Sequence, residues 1–365
     1  MKSVLNTKVS RRNFCRSGAL LGTGAFAGGS GLLLKTSSAS AAQHVLGFGS
    51  PYATDAEFAP SAQGAFKRNV EKVTGGEIQV DIFDNGKRGA GGKLLGGVAR
   101  NSLQGGIISI SNLSRYTSAV DVLNIPFWSA TNQNFLNLVK SSAWNDAVNK
   151  KVSDKGLHIL YPCVVGARTA ATVKAYDKLI RVPEDMQGVK FRIPSSEILK
   201  QFYDLTGAKP TKVKWSLTAG VARAGRIQAL DPSPLGLYSG PDNLKDAIAK
   251  ISLIDSVHDG WVAILSMDWL KTLPAQLRDK LLEAAELTFQ DQLNEARNGN
   301  KKVRSAFEAL GTEFYEPTAD EKKAWQAASG QQRSEWTDWK TKLVGSVADF
   351  DRLVEAANTS QGVTF

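Results

Sequence analysis

The side chains able to do chemistry are few, and their spacing excludes most of it. Three histidines, His44, His158 and His258, are scattered through 365 residues, with no HExxH, no GxSxG and no cluster of acids and histidines at ligand spacing. That argues against metal-dependent catalysis. The run Gly86-Lys87-Arg88-Gly89-Ala90-Gly91-Gly92-Lys93-Leu94 approaches a phosphate-binding loop, but no glycine stands five places before Gly92 and no Ser or Thr follows Lys93. A flexible surface loop is the expected form. Arginine placement says more. In Val189-Lys190-Phe191-Arg192-Ile193-Pro194, period-two alternation puts Val189, Phe191 and Ile193 on one face and Arg192 on the other, where Pro194 ends the strand. Strand ends in open α/β sheets line ligand crevices. A guanidinium held there offers a carboxylate two parallel hydrogen bonds. The same alternation also fits a surface salt bridge, the common fate of an arginine. Arg168 follows an apolar run and Gly166, so it too is expected at a strand mouth, and two such arginines would suit an organic acid. Trp215, just before a short helix, is either a lid over a ligand or a core aromatic, with packing as the default. His258 near a strand end could donate to a ligand, but a lone histidine is by default structural.

The elements that must position these residues alternate short β-like runs with amphipathic stretches, the pattern of an α/β protein with largely parallel sheets. Val45 to Phe48 reads as a strand. Phe58, Ala62, Ala65, Phe66, Val70 and Val73 recur at helical spacing up to Gly75-Gly76. Ile78 to Phe83 is a clear strand with Asp84-Asn85-Gly86 as its turn. Further strands are expected at Ile107 to Ser111, Leu157 to Val165, Ala170 to Val173, Val189 to Ile193 and Arg226 to Leu230. From Leu273 to Leu310 the apolar spacing describes one long helix, with a kink expected near Gly299. A helical stretch after Pro317 carries Trp325, Trp336 and Trp339 and is expected to pack across the body of the protein. No Pro/Ser/Gly linker divides the chain, so two lobes of similar size would be joined by crossing segments.

Composition narrows the function further. With 42% hydrophobic and 22% charged residues, the chain can bury one or two full cores. The formal charge of +10 is misleading, because residues 1–41 hold six Lys or Arg and no acid. The remainder carries 39 bases against 35 acids, too even a balance to support a nucleic-acid partner. Those first residues form an export signal: Ser10-Arg11-Arg12-Asn13-Phe14, a weakly apolar glycine-rich run from Ser17 to Leu34, then Ala39-Ser40-Ala41. The paired arginines and modest hydrophobicity resemble the twin-arginine type, with the mature chain beginning near Ala42. Glycines dilute the apolar run below the roughly 20 residues of a membrane span. Cys15 falls in this segment, and Cys163 alone can form neither an intramolecular disulfide nor a thiolate metal cluster.

A string of motifs then becomes specific. Val73-Thr74-Gly75-Gly76-Glu77-Ile78 with Asp84-Asn85-Gly86, Asn124-Ile125-Pro126-Phe127-Trp128, and Gly166-Ala167-Arg168 resemble, in that order, the extracytoplasmic solute receptors of TRAP transporters. The match continues through Val182-Pro183-Glu184-Asp185-Met186-Gln187-Gly188-Val189-Lys190-Phe191-Arg192-Ile193-Pro194. It then takes in Gly207-Ala208-Lys209-Pro210-Thr211, Trp215-Ser216 and Trp269-Leu270-Lys271-Thr272-Leu273-Pro274, so it covers roughly residues 45 to 300.

The resemblance implies a two-lobed periplasmic binding protein of the Venus-flytrap type, with crossing strands and a long spanning helix, closing on a small carboxylate without catalysis or cofactor. By similarity Arg192 meets the substrate carboxylate and Arg168 is a second basic contact. Trp215 is placed against the ligand, and Asn112 and Tyr52 approach from the other lobe. Where the family commonly reads close to Gly-Val-Val-Asp-Gly-Gln-Glu-Asn, this chain has Gly225-Arg226-Ile227-Gln228-Ala229-Leu230-Asp231-Pro232, in which only Asp231 keeps an acid. An atypical but still carboxylated ligand is expected, with no metal site. The implied lobes are 42–166 plus about 252–290, and 167–251 plus about 291–365 with the C-terminal helices. The implied partner is a two-subunit TRAP membrane transporter, and contact with the membrane is only through it. A periplasmic sensory protein and a cofactor-bearing periplasmic enzyme are the alternatives.

Overall fold

The structure, a computed structural model, describes residues 44–365 apart from residue 59. The export signal and its cleavage point near Ala42 lie outside the described residues. The strands in chain order are β1 (His44–Gly49), β2 (Ile78–Phe83), β3 (Gly105–Ser109), β4 (Leu157–Cys163), β5 (Ala170–Val173), β6 (Lys190–Ile193), β7 (Lys209–Lys212), β8 (Ala229–Leu230), β9 (Ile248–Ser252), β10 (Trp261–Ser266) and β11 (Glu313–Tyr315). They form two sheets, ordered β2-β1-β3-β10-β4 and β11-β9-β5-β8-β6-β7. Each sheet with its helices makes one lobe of an α/β protein, as expected.

The sheets are mixed where largely parallel ones were expected. In the first, β1 runs parallel to β2 and β3, but β10 is antiparallel to both β3 and β4. In the second, β6 is parallel to β7 and β8, while β5 opposes β8 and β9. The cause is the double crossing. The chain leaves the first sheet after β4, builds most of the second, and returns after β9, so β10 enters between β3 and β4 from the opposite direction. The two crossing segments hold each other: Arg168 N donates to Val257 O at 2.7 Å and Asp259 N to Gly166 O at 2.9 Å. Gly166 sits at φ 106°, a conformation side chains disfavour.

The long helix Ala275–Glu308 has 34 residues, about 50 Å at 1.5 Å per residue, and touches both lobes. On the first, Gln292 Nε2 donates to Pro60 O and Val164 O at 3.0 and 3.1 Å, and Asn69 Nδ2 donates to Asp291 at 2.9 Å. On the second, Phe307 packs edge-on against Tyr238 and Phe314. The helix is unbroken at Gly299. A Cβ there would stand 2.8 Å from Leu235 Cδ2, so the glycine makes room for a neighbouring helix and no kink follows.

Two other boundaries move. The helix expected from Phe58 begins at Gln63, after Ala62 at φ 49°. The strand expected to reach Ser111 stops at Ser109, because its pairing with β10 ends at the Ser109–Trp261 pair, and the chain turns helical over Ile110–Leu113. The tryptophans expected on one stretch fall on three elements, Ala319–Ser329, Ser334–Trp336 and Thr337–Val344. Of the C-terminal helices, expected with the second lobe, Val347–Asn358 lies on the first. There Asn134 and Asn137 donate side-chain N–H groups to Ala357 O, and Trp128 meets Phe350 with ring centroids 5.0 Å apart.

Candidate functional site

Strand ends and crossing segments converge on a small cleft between the two sheets, about 300 Å³ when the space open to solvent is counted. The first lobe contributes Ser109 at the end of β3, Asn112 on the helical turn that follows, and Trp261 at the start of β10. Arg168 and Asp259 come from the crossing segments. The second lobe brings Arg192 and Pro194 at the end of β6, Pro232 after β8, and Trp215 on the turn after β7. That turn forms because Lys214 leads into the 3-10 helix Trp215–Leu217, and Thr218 Oγ1 bonds back to Lys214 O. Asn112 reaches the cavity because β3 ends where its pairing runs out.

The two arginines reach the cavity in different electrical states. Arg168 is buried, with Nη1 at 3.1 Å from Asp231 Oδ1 and Nη2 at 2.8 Å from Asp259 Oδ1. Burial pulls its pKa down, but the two carboxylates outweigh it and hold the guanidinium above its ordinary value. Asp231 is pushed up by burial, against the pull of both arginines. Arg192 is only 3% exposed, which removes the surface salt bridge as its explanation. Its Nε and Nη2 donate to Val213 O at 3.2 and 3.0 Å, and its guanidinium carbon lies 5.2 Å from the centre of the Trp215 ring. No Asp or Glu among the described residues is within salt-bridge distance of it. Burial, with Arg168 nearby, lowers its pKa to about 10 against the longer-range pull of Asp231 and Asp259, so it stays charged at neutral pH with no salt bridge of its own among the described residues. A buried cation in that state is unfavourable until an anion arrives.

The other expected contacts divide. Arg168, Arg192, Trp215 and Asn112 line the cavity. Asp231 does not: it is wholly buried behind Arg168 as one of its two counter-ions. Tyr52 also lies behind the wall, its ring 4.9 Å from that of Trp261 and its hydroxyl buried without a partner. His258 is structural, stacked on Phe135 at 3.8 Å with Nε2 at 3.1 Å from Asn132 Oδ1. Asp259, Trp261 and Ser109 were not foreseen. The run His258-Asp259-Gly260-Trp261 before an apolar stretch was the available signal, but only the return crossing puts it opposite Arg168. Among the described residues no group of three His, Cys, Asp or Glu could hold a metal, and no helix is long and apolar enough to cross a membrane.

Two α/β lobes joined by crossing segments and a spanning helix, with a buried guanidinium in the cleft that makes no salt bridge among the described residues, define a solute-binding protein. The chain belongs to the DctP family, bacterial extracellular solute-binding protein family 7, whose model matches residues 52–337. The similarity to TRAP solute receptors drawn from the motifs therefore holds. Among relatives, the C4-dicarboxylate-binding periplasmic protein DctP of Shewanella loihica is 26% identical over 310 residues, 80% of this chain and 85% of that protein. A TRAP periplasmic solute-binding protein from Shewanella oneidensis, with bound succinate, superposes with a TM-score of 0.78 at 20% identity, covering 87% of this chain and 100% of the other. The sugar acid binding protein DctPAm of Advenella mimigardefordensis, in complex with galactonate, gives 0.78 at 16% identity, covering 86% and 97%.

Proposed function

We propose that this protein binds a small organic carboxylate in the periplasm and delivers it to the membrane subunits of a TRAP transporter. The observation that carries the reading is Arg192, charged, buried and without a salt bridge among the described residues, at the end of β6. A ligand carboxylate would supply the missing charge and accept hydrogen bonds from the guanidinium. Arg168, Asn112 and Trp215 complete its surroundings, while Tyr52 and Asp231 act from behind, setting Trp261 and Arg168. The names of the relatives, C4-dicarboxylate and sugar-acid binders among them, support an acid as ligand.

Function here is differential affinity. Opening the lobes rehydrates Arg192, and a ligand touching both lobes favours the closed arrangement. The moving bodies are 42–166 with about 252–290, and 167–251 with about 291 onward, the helix Val347–Asn358 travelling with the first. No chemical step is needed. The Arg11-Arg12 pair directs export of the folded chain by the twin-arginine route, so replacing both with lysine should leave the protein in the cytoplasm.

A thermal-shift screen against small carboxylates, with neutral analogues as controls, tests the binding role. A ligand at 100 times its Kd should add about 2.7 kcal/mol of stability. Arg192→Ala should weaken binding by about 2–5 kcal/mol, the range for removing one partner of a buried charged pair. Equal binding by parent and variant would refute the assignment.

A further inference from the structure

We infer that the site selects a monocarboxylate with a compact apolar body bearing one neutral oxygen, and rejects dicarboxylates. This rests on the carboxylate reading above and goes beyond it by counting charges. Among the described residues lining the cavity, one cation, Arg192, makes no salt bridge. Arg168 is already matched by Asp231 and Asp259 at 3.1 and 2.8 Å, so it has no charge left for a second carboxylate. Asp259 itself lines the cavity and would repel one.

What remains for the rest of the ligand is neutral. Among the described residues, the buried indole N–H groups of Trp215 and Trp261 meet no acceptor and the buried Ser109 hydroxyl has no partner. All three residues line the cavity. An indole N–H can only donate, so these groups call for an acceptor such as a keto, hydroxyl or ether oxygen. The two indoles, with ring centroids 6.4 Å apart, and Pro194 and Pro232 make the other walls apolar. A sugar acid, with hydroxyls all round, would leave most of them unpaired against these surfaces.

Calorimetric titration of the purified protein with matched acids tests the inference. 2-Oxopentanoate and 2-oxoglutarate share a five-carbon chain and a 2-oxo group, and differ in ending on a methyl or on a second carboxylate. 2-Oxopentanoate should bind at least about tenfold tighter, because the second charge finds no cation. It should also bind about fivefold tighter than pentanoate, a gap that Trp215→Phe, which keeps an aromatic ring and drops the N–H, should narrow. If 2-oxoglutarate, succinate or glucuronate binds as tightly as 2-oxopentanoate or tighter, the inference is overturned while the carboxylate reading stands. If no acid binds and Arg192→Ala changes nothing, the carboxylate reading falls and takes this inference with it.

Discussion

The lobes of this protein meet in two chemically opposite ways. Around Arg168 the crossing segments bond to each other, and one buried cation faces two buried carboxylates. Arg192 and Asp121, by contrast, make no salt bridge among the described residues. Arg192 has only the Val213 carbonyl and the Trp215 ring, and Asp121, on the 3-10 helix Ser118–Asn124, has no cation within salt-bridge distance among the described residues. Asp121 is held instead by Asn124 Nδ2 at 2.6 Å, and Asn124 Nδ2 also reaches the Ser196 hydroxyl of the second lobe at 3.5 Å. Nearby, Ser114 of the first lobe donates to Ser195 O at 3.3 Å. The difference separates what holds the molecule together from what waits for a ligand. A compensated charge cluster belongs to the fold, whereas a lone buried guanidinium makes the closed form costly until an anion enters.

The largest effect should come from breaking the compensated region. Arg168→Ala leaves Asp231 and Asp259 buried and unpaired, and should lower the unfolding free energy by about 3–5 kcal/mol in urea titration. A loss below 1 kcal/mol would mean that the hinge cluster is not structural and the contrast is false. Next comes Asp121. Burial raises its pKa from 3.8 to about 6, with Glu197 adding to the rise and the hydrogen bonds opposing it. A carboxyl whose folded pKa is raised contributes stability that is full below about pH 4 and lost as pH rises through about 6, some 3 kcal/mol at most. Asp121→Asn should therefore flatten the fall in stability between those pH values. Because Glu295, raised by burial to about 7, titrates in the neighbouring window, the comparison is parent against variant at each pH. An unchanged profile would show that Asp121 is not strained in the folded protein.

Much of the frame could be read in advance where side chains alternate or recur with a clear period. β2 and β5 fall where expected, and β6 starts one residue late, because Ile78, Val80 and Ile82, or Phe191 and Ile193, mark one face. β7 was invisible for a physical reason: Lys209-Pro210-Thr211-Lys212 is an edge strand, largely exposed, with no apolar face to give a period. β10 is buried at every position, so its run carries no alternation to betray it, and with it went Trp261 and Asp259. At the site, the identity of the arginines was legible, but their electrical states were not. Arg168 and Arg192 look alike in the sequence. Only the crossing at residues 257–259 and the short β8, which ends just before Asp231, give one arginine two salt bridges and leave the other with none among the described residues.

The smallest expected effect is the sharpest test of that contrast, because the first variant should lose several times as much. Arg192→Met keeps a long apolar stem against Trp215 but removes a buried charge and its two hydrogen bonds to Val213 O. Losing the bonds should cost about 1 kcal/mol and relief from an uncompensated charge should offset it, so ligand-free stability should change by less than about 1 kcal/mol, in either direction. The same variant should gain no stability from any acid that stabilises the parent. Arg168→Met, its structural counterpart, should lose stability with or without ligand. If Arg192→Met were as destabilising as Arg168→Met in ligand-free urea titrations, both guanidiniums would be parts of the fold. The uncompensated charge that marks this cleft as a receptor for acids would then be a packing feature.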